Sequence, residues 1–248
     1  MQVLILAGGY GTRLAAVVKD TPKALIDING QPLLNYVVDL IGDVEGLSEI
    51  LVVTNDKFFG QFEAWKETLK HLRCPLTVIN DGTKTNEERL GSIGDIDFVI
   101  NQGFVKEDLL VVGGDNLFDF DIHKFLTFAQ ENNGHVSIGL YDIGNIQEAT
   151  KYGVVAIDAS GKVTSFEEKP EHPKSSFVSM CFYYLPRQSL GLVKQYLSES
   201  NKADRAGDYI RWLGQKGEVF GFKFSGKWYD IGSVESYREA QSKFKAKL

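Results

Sequence analysis

The chain has 248 residues and a formal net charge of −6, a length that accommodates one large α/β domain with a buried core. The mild acidic surplus, without a long basic block, argues against a nucleic-acid partner, and no apolar run approaches the roughly 18 residues of a membrane span. Cys74 and Cys181 belong to no Cys/His cluster and the chain opens on no signal-peptide pattern, so we expect a cytoplasmic protein without a disulfide framework, zinc site or membrane partner.

The first part of the chain alternates strand and helix patterns. Continuous apolar runs at 3–7, 51–53 and 109–112 each enter a polar turn, as buried parallel strands do. Between them, segments 32–41 and 57–72 repeat apolar residues every three or four positions, which predicts helices. Strand, helix, strand indicates a parallel α/β sheet.

After residue 120 the pattern changes to shorter strands. Asp121 is predicted to cap a helix that contains Phe125, Leu126 and Phe128. The turn signal Ala-Ser-Gly-Lys at 159–162 favours a hairpin. Strands are expected at 136–141, 153–157, 163–167 and 178–185.

The tail at 233–244 is predicted to close the chain as a helix capped by Ser233. No linker or repeat divides the sequence. We therefore expect a single domain over 1–248, made of an N-terminal half at 1–120 and a C-terminal half at 121–248 that adds β-rich walls to the same sheet.

A glycine-rich turn follows the first strand. Residues 8–14 read Gly-Gly-Tyr-Gly-Thr-Arg-Leu, and such glycines let backbone N–H groups approach an anion. Leu14 stands where a dinucleotide fingerprint needs Gly or Ala, and no Gly-Lys-Ser/Thr is present, so both familiar phosphate motifs are disfavoured. Arg13 and Lys23, the latter stiffened by Pro22, add two cations suited to a polyphosphate; the glycines alone would fit a plain surface turn equally well.

Two separated aspartates suit a metal ion. Asp115 follows the strand at 109–112, where open α/β sheets bind ligands, and Asp230 precedes the last helix. Mg²⁺ prefers one or two protein carboxylates together with phosphate oxygens and water. Each aspartate could instead serve as a turn or helix cap. Asp119 and Asp121 form an Asp-x-Asp, the metal pattern of many glycosyltransferases, although a loop leading to the Asp121 cap is the simpler interpretation.

A further polar group ends a strand at Glu168, Lys169 and Pro170. A carboxylate can accept two hydrogen bonds from sugar hydroxyls, and a lysine offers a point charge to a monophosphate. On its own such a tripeptide is more typical of a solvated edge.

Four of these motifs, in this order, resemble the sugar-1-phosphate nucleotidylyltransferases of the glucose-1-phosphate thymidylyltransferase and UTP-glucose-1-phosphate uridylyltransferase type, in a short form without a C-terminal extension. They are the segments 8–14, 22–25, Gly-Asp-Asn at 114–116 and Glu-Lys-Pro at 168–170, with Asp230 following in an aromatic turn. The resemblance implies a three-layer α/β/α, Rossmann-like nucleotide-diphospho-sugar transferase (GT-A-like) fold with a mixed, mainly parallel central sheet.

The resemblance also implies an enzyme that condenses a nucleoside triphosphate, with dTTP or UTP favoured, and a sugar 1-phosphate into a nucleotide sugar and pyrophosphate. Mg²⁺ would be held by Asp115 and Asp230, and the catalytic residues would be Arg13, Lys23 and Asp115. The half at 1–120 would bind the nucleotide and the half at 121–248 the sugar phosphate. The sugar-phosphate site would contain Gly153, Glu168 and Lys169. The nucleotide-binding residues would be Leu6, Ala7, Gly8, Gly9, Gly11, Thr12, Arg13, Asn80 and Gly91.

The chain departs from the family pattern where the base is read. Asn80 stands in place of a glutamine, and a longer connection precedes Gly91. This departure leaves room for a cytidylyltransferase acting on a phosphonate or a phosphorylated alcohol. A glycosyltransferase using Asp119 and Asp121, and a catalytically silent nucleotide-sugar sensor, are the alternatives of other classes. The sequence leaves the oligomeric state open, including a homo-oligomer.

Overall fold

The computed structural model describes residues 1–14, 17–18, 20–132, 134–200, 204 and 206–244. The strands are β1 Gln2–Leu6, β2 Asp27–Ile28, β3 Gln31–Pro32, β4 Glu49–Thr54, β5 Leu76–Asn80, β6 Leu109–Gly113, β7 Asn116–Phe118, β8 Val136–Asp142, β9 Gly153–Ile157, β10 Val163–Glu168, β11 Phe177–Leu185, β12 Val219–Phe224 and β13 Trp228–Asp230. The helices are α1 Leu33–Gly42, α2 Phe59–Lys66, α3 Ser92–Asn101, α4 Ile122–Glu131, α5 Gly191–Glu199, α6 Ala206–Lys216 and α7 Val234–Lys243.

The chain forms two compact units. Unit 1 comprises Met1–Gly91, Val112–Phe120 and Gly226–Leu248, and unit 2 comprises Ser92–Val111 and Asp121–Ser225. The predicted halves also divide at residues 120 and 121, but each unit includes a segment from the other half. The prediction of a single domain stays a prediction.

Unit 1 is built on parallel strands. β4 pairs with β1 on one side and β5 on the other, so Leu51 lies opposite Leu4. The side chains of Val3, Leu4 and Ile5 are fully buried, as are those of residues 50–53. Burial on both faces explains why these strands read as unbroken apolar runs.

Two short ribbons complete unit 1. β7 pairs with β13 in antiparallel fashion, and β2 pairs with β3. The β7 and β13 pair matters most for function, because it joins the segment after β6 to the segment before α7. Ser233 begins α7 with a capping box shared with Ser236, which confirms the predicted serine cap.

Unit 2 has mixed strand pairing. β8 pairs antiparallel with β11 and parallel with β12, and β9 forms the predicted hairpin with β10. Asp121 accepts a hydrogen bond from the backbone N–H of His123, which confirms the predicted cap of α4. Phe125 on α4 packs against Phe182 and Phe224, with ring centroids 5.1 and 5.5 Å away. The main sheet is thus mixed and flanked by helices, as the resemblance implied.

The helix predicted over 57–72 is shorter in the structure, so that prediction was wrong in its length. α2 ends at Lys66. The Thr68 hydroxyl and the Thr68 N–H both donate to the Trp65 carbonyl, and the Leu69 N–H donates to the Lys66 carbonyl. These local bonds tighten and end the helix, although the apolar spacing continues. Within the described residues, no helix is both long and apolar enough to cross a membrane.

Candidate functional site

The glycine-rich loop in unit 1 is anchored where it leaves β1. Asn55 donates from its side-chain amide to the Gly8 carbonyl at 2.9 Å, and the Thr54 hydroxyl donates to the Ala7 carbonyl at 3.2 Å. Thr54 is the last residue of β4, and Asn55 follows it directly. Among the described residues, no heavy atom lies within 4 Å of the position where a Cβ of Gly9 would stand, apart from its chain neighbours. The loop is therefore fixed at its base and open at its surface.

The loop continues into a short turn that carries the predicted arginine. Gly11 has a φ of +63°, which favours glycine, and its carbonyl accepts from the Leu14 N–H at 3.0 Å. Leu14 is buried and holds the turn of residues 12–14 in place. Thr12 and Arg13 are exposed, so the guanidinium is accessible to an anion.

Lys23 contacts Asp115 directly. Its Nζ donates to Asp115 Oδ2 at 2.6 Å, and the two side chains are 23% and 35% exposed. Lys23 begins a single 3₁₀ turn after Pro22, and the buried Ala24 anchors that turn. The structure thereby brings together two predicted site residues that lie 92 positions apart.

The second predicted metal ligand lies beside the first. In the β7 and β13 pair, Asp230 lies opposite Asn116, and the Ile231 N–H donates to the Asp115 carbonyl at 3.0 Å. Asn116 accepts from the Trp228 indole N–H at 2.5 Å, which locks the register of the ribbon. Asp115 therefore immediately precedes β7, and Asp230 ends its partner strand β13.

Gly114 fixes this pair of strands to the start of the glycine-rich loop. Its N–H donates to the Leu6 carbonyl at 2.9 Å. A Cβ at Gly114 would lie 2.8 Å from that carbonyl oxygen and 3.4 Å from the Cβ atoms of Ala7 and Ala24. Only glycine allows the two backbones this separation, so Asp115 is held close to residues 6 and 7.

The donor set of this region fits a magnesium ion. Asp115 and Asp230 supply two carboxylates, and both are partly exposed. The ion pair of Asp115 with Lys23 shows that this carboxylate attracts a cation. Among the described residues, no group of three or more His, Cys, Asp and Glu is gathered as a closed cage would need. Mg²⁺ requires no such cage when phosphate oxygens and water complete its shell.

The predicted sugar-phosphate residues come together in unit 2. Gly153 on β9 lies directly opposite Glu168 on β10, and the Lys169 N–H donates to the Tyr152 carbonyl at 2.9 Å. Lys169 has a φ of +47°, an unusual conformation for a lysine, and its side chain is exposed. The strained backbone turns this lysine out of the ladder beside Glu168.

The sequence analysis missed two residues next to Glu168. Gly207 on α6 lies so close that a Cβ there would stand 2.3 Å from Glu168 Oε2 and 2.7 Å from the Phe166 ring. Tyr183 on β11 is buried, and burial raises its pKa well above the ordinary value, with the charges of Cys181 and Glu168 adding to the effect. A glycine in the first turn of a helix was the available signal for Gly207, since glycine weakens a helix unless close packing requires it.

Asn80 and Gly91 lie at the two ends of the long connection in unit 1. The Asn80 amide donates to Asp56 Oδ1 and accepts from the Gly82 N–H, both at 2.8 Å, so its orientation is fixed. One N–H and one lone pair of the amide remain for a ligand. Gly91 is buried and has a φ of +79°, a conformation that favours glycine.

Asp119 and Asp121 both have structural partners. Asp119 Oδ1 accepts from the Lys227 N–H at 2.6 Å, and a Cβ at Gly226 would stand 2.7 Å from the same oxygen. Asp121 caps α4. The Asp-x-Asp pair thus shapes the turn before β13 and begins a helix.

Comparison with known proteins agrees with this arrangement. The model of a family described as nucleotidyl transferase matches residues 2–247. A Bacillus anthracis protein assigned as a glucose-1-phosphate thymidylyltransferase, solved with sucrose, is similar in structure with a TM-score of 0.84 and 21% identity, covering 100% of this chain and 98% of that one.

Two structures of UDP-glucose pyrophosphorylase are similar as well. The apo form has a TM-score of 0.80 at 21% identity, covering 97% of this chain and 96% of that one. The complex with UDP-glucose has a TM-score of 0.79 at 23% identity and covers 97% of both chains. At these identities the likeness establishes the fold, and the predicted Rossmann-like fold with a mixed, mainly parallel sheet is confirmed.

Proposed function

The chain belongs to the nucleotidyl transferase family, and we propose that it joins a nucleoside triphosphate to a sugar 1-phosphate with release of pyrophosphate. The observation that carries this proposal is the contact of Lys23 with Asp115, beside Asp230 and against the start of the glycine-rich loop. A triphosphate requires a cation and an anchored glycine loop, and its metal ion requires the two carboxylates.

The proposed reaction is a substitution at the α-phosphorus. An oxygen of the acceptor phosphate forms the new P–O bond, the bond from the α-phosphorus to the bridging oxygen breaks, and pyrophosphate leaves with the electron pair. A phosphate monoester is already mostly ionised near neutral pH, so no general base is required. Alignment and neutralisation of charge are the main tasks of the protein.

Each residue of unit 1 has a part in that task. The exposed Arg13 and the backbone of residues 8–12 would hold the β- and γ-phosphates, and Lys23 would exchange its contact with Asp115 for the leaving pyrophosphate. Asp115 and Asp230 would hold Mg²⁺, which supplies Lewis-acid polarisation of the phosphate oxygens. Leu6 and Ala7 would line the nucleotide through their backbone.

Glu168, Lys169 and Gly153 of unit 2 would hold the acceptor. The half-buried carboxylate of Glu168 can accept hydrogen bonds from two sugar hydroxyls, and the exposed Lys169 offers its charge to the phosphate. A Cβ at Gly153 would stand 2.4 Å from the Phe166 ring and 3.2 Å from Glu168 Oε2, so the glycine makes room for the ring that packs beside the Glu168 carboxylate. Their positions on paired strands, opposite one another, support a common ligand.

A pyrimidine triphosphate with an N–H between two carbonyls, as in dTTP or UTP, is the preferred donor. The fixed Asn80 amide retains one donor and one acceptor, which match the carbonyl and N–H of such an edge. The names of the structural neighbours, a thymidylyltransferase and a UDP-glucose enzyme, point the same way. Gly91 would let the base approach the backbone.

The glycosyltransferase alternative receives less support. Asp119 and Asp121 each accept backbone hydrogen bonds that organise a turn and a helix, so their carboxylates already have structural roles. A glycosyltransferase would lose activity on Asp119→Ala and retain it on Asp115→Ala. The nucleotidyltransferase should show the reverse, apart from a loss of stability in the Asp119 variant.

The deciding experiment incubates the protein with Mg²⁺, each of five common nucleoside triphosphates and a panel of sugar 1-phosphates, and measures the pyrophosphate released. Asp115→Asn should abolish release. Asp43→Asn is a matched control, because Asp43 is an exposed surface residue whose ion-pair contact with Arg73 is 3.8 Å long. Equal activity of both variants would refute the role given to Asp115.

Phosphonates and phosphorylated alcohols added to the panel, together with a binding titration of nucleotide sugars, separate the remaining alternatives. Reaction of CTP with a phosphonate or phosphorylated alcohol, and with no sugar phosphate, would keep the reaction class and replace the acceptor. Binding of a nucleotide sugar without any turnover would indicate a sensor. A cytoplasmic location stays a prediction from the sequence, which leaves the oligomeric state open.

A further inference from the structure

Tyr10 is the only residue with a side chain between Gly8 and Gly11, and its hydroxyl reaches out of the glycine-rich loop. The hydroxyl donates to Thr83 Oγ1 at 3.3 Å. The half-buried Tyr10 ring also contacts the ring of Phe58, with centroids 6.3 Å apart and planes at 46°. Burial raises the pKa of Tyr10, so the phenol stays a hydrogen-bond donor at neutral pH.

Thr83 belongs to the connection at residues 81–90, which replaces the family's shorter base-reading segment. It is a rigid anchor, because its hydroxyl and its N–H both donate to Asp81 Oδ1 at 2.7 Å. Its carbonyl accepts from the Asp56 N–H at 2.9 Å, and the Asp81 N–H donates to the Thr54 carbonyl at 2.8 Å. Thr83 and Asp81 are buried. The corner is thus bound to the end of β4.

The tip of the glycine-rich loop is loosely packed among the described residues. Its base is fixed through Gly8 and Asn55. Within that part of the chain, no atom beyond the chain neighbours lies within 4 Å of the Cβ position of Gly9, and the Lys23 Cβ lies 4.0 Å from that of Gly11. Glycines lose more conformational freedom on ordering than other residues. A side-chain tether at Tyr10 therefore bears directly on the order of the loop.

We propose that Tyr10 is a positioning residue whose hydrogen bond to Thr83 couples the phosphate-binding loop to the base-reading connection, so that triphosphate and base are recognised as one unit. This inference rests on the proposed function, in which the loop takes the phosphates and Asn80 and Gly91 take the base. Tyr10 itself touches neither the reacting atoms nor the acceptor in this account.

The test compares Tyr10→Phe, Thr83→Val and the double variant with the wild type. Each intact protein is titrated calorimetrically, in the presence of Mg²⁺, with UTP, dTTP, CTP, ATP or GTP. Inorganic triphosphate is the second probe. Tyr10→Phe keeps the ring contact with Phe58 and removes only the hydroxyl. Loss of one neutral hydrogen bond should raise the nucleotide Kd about 2- to 12-fold. Triphosphate, which lacks the base, should be affected less.

The double variant gives the sharper readout. If the two hydroxyls act as one tether, the double variant binds nucleotide about as weakly as Thr83→Val alone, because neighbours in one network are not additive. Thr83→Ser, which keeps the hydroxyl, should restore binding. In steady-state assays the KM for the nucleotide should rise while kcat and the KM for the acceptor stay unchanged.

Tyr237→Phe is the matched control, since its hydroxyl accepts a hydrogen bond from the Gln241 side-chain amide on the surface of α7, at 2.7 Å. Strictly additive effects on nucleotide binding, or a lowered Tm of Tyr10→Phe with an unchanged Kd, would overturn the coupling and leave the proposed function intact. If the wild-type protein binds none of the five triphosphates, the proposed function fails and this inference with it.

Discussion

Gly114→Ala should destabilise the protein and impair catalysis together. The added Cβ would stand 2.8 Å from the Leu6 carbonyl oxygen, a backbone atom that cannot rotate away. It would also stand 3.4 Å from two buried alanine Cβ atoms, those of Ala7 and Ala24. The hydrogen bond from the Gly114 N–H to the same carbonyl would lengthen when the strands separate.

Overpacking of this kind costs about 1–3 kcal/mol. In a chain of this size, each kcal/mol lowers the Tm by about 2–4 °C, so the expected decrease is about 2–12 °C. The same displacement would move Asp115, the next residue, away from Lys23. Misplacement by about 1 Å can cost roughly 100-fold in rate, so turnover should fall more than stability alone would explain.

Calorimetry and pyrophosphate release at a temperature well below the Tm would measure the two effects. Gly60→Ala is the matched control, because among the described residues no heavy atom beyond its chain neighbours and the backbone of α2 itself lies within 4 Å of its Cβ position. Alanine there should leave turnover unchanged and stabilise the helix by about 0.5–1 kcal/mol. If Gly114→Ala were as stable and as active as the wild type, the close approach of the two backbones would be refuted.

Three other predictions concern charged groups. Lys23→Gln should tighten Mn²⁺ binding to the nucleotide-free protein about two- to five-fold, because the ammonium no longer competes with the metal for Asp115, and turnover should fall. Electron paramagnetic resonance measures the Mn²⁺ affinity, and an unchanged affinity would contradict the competition. Glu168→Gln should raise the KM for the acceptor about ten-fold or more and leave the KM for the nucleotide unchanged in initial-rate assays. Equal effects on the two KM values would argue against an acceptor site at Glu168. Burial raises the pKa of Asp97 by more than Lys194 and Asn101 lower it. The native protein therefore binds a proton at the Asp97 carboxyl more readily than the unfolded chain does. Its stability falls as pH rises from the ordinary Asp pKa through the raised pKa of the native state. Asp97→Asn should therefore be more stable than wild type at pH 7 and lose that advantage at lower pH in urea unfolding; a gain independent of pH would refute the assignment.

Local chemistry made much of the fold predictable. The strands near residues 3–7, 51–53 and 109–112 are buried on both faces, so their apolar runs are unbroken and easy to recognise. The caps at Asp121 and Ser233 depend only on residues two or three positions away. Such signals need no knowledge of the tertiary fold.

Other elements depended on distant neighbours. β12 was not predicted, because Gly221 interrupts its run of β-forming residues. The structure supplies the reason, since a Cβ at Gly221 would stand 2.6 Å from a methyl carbon of Leu140 on β8. The end of α2 at Lys66 was missed because the side chain of Thr68 outweighed the apolar spacing. Close packing and competing hydrogen bonds leave weak traces in a sequence.

The sequence by itself determined the kinds of residues at the candidate site and their order, since a glycine loop, two cations and two carboxylates each follow a recognisable strand or turn. Only the tertiary structure decided which of them meet. The contact of Lys23 with Asp115 spans 92 positions, and the bond from Trp228 to Asn116 that aligns Asp230 beside Asp115 spans 112. Motifs are local in the chain, whereas contacts over such separations arise only when strand pairing and glycine packing close the intervening loops.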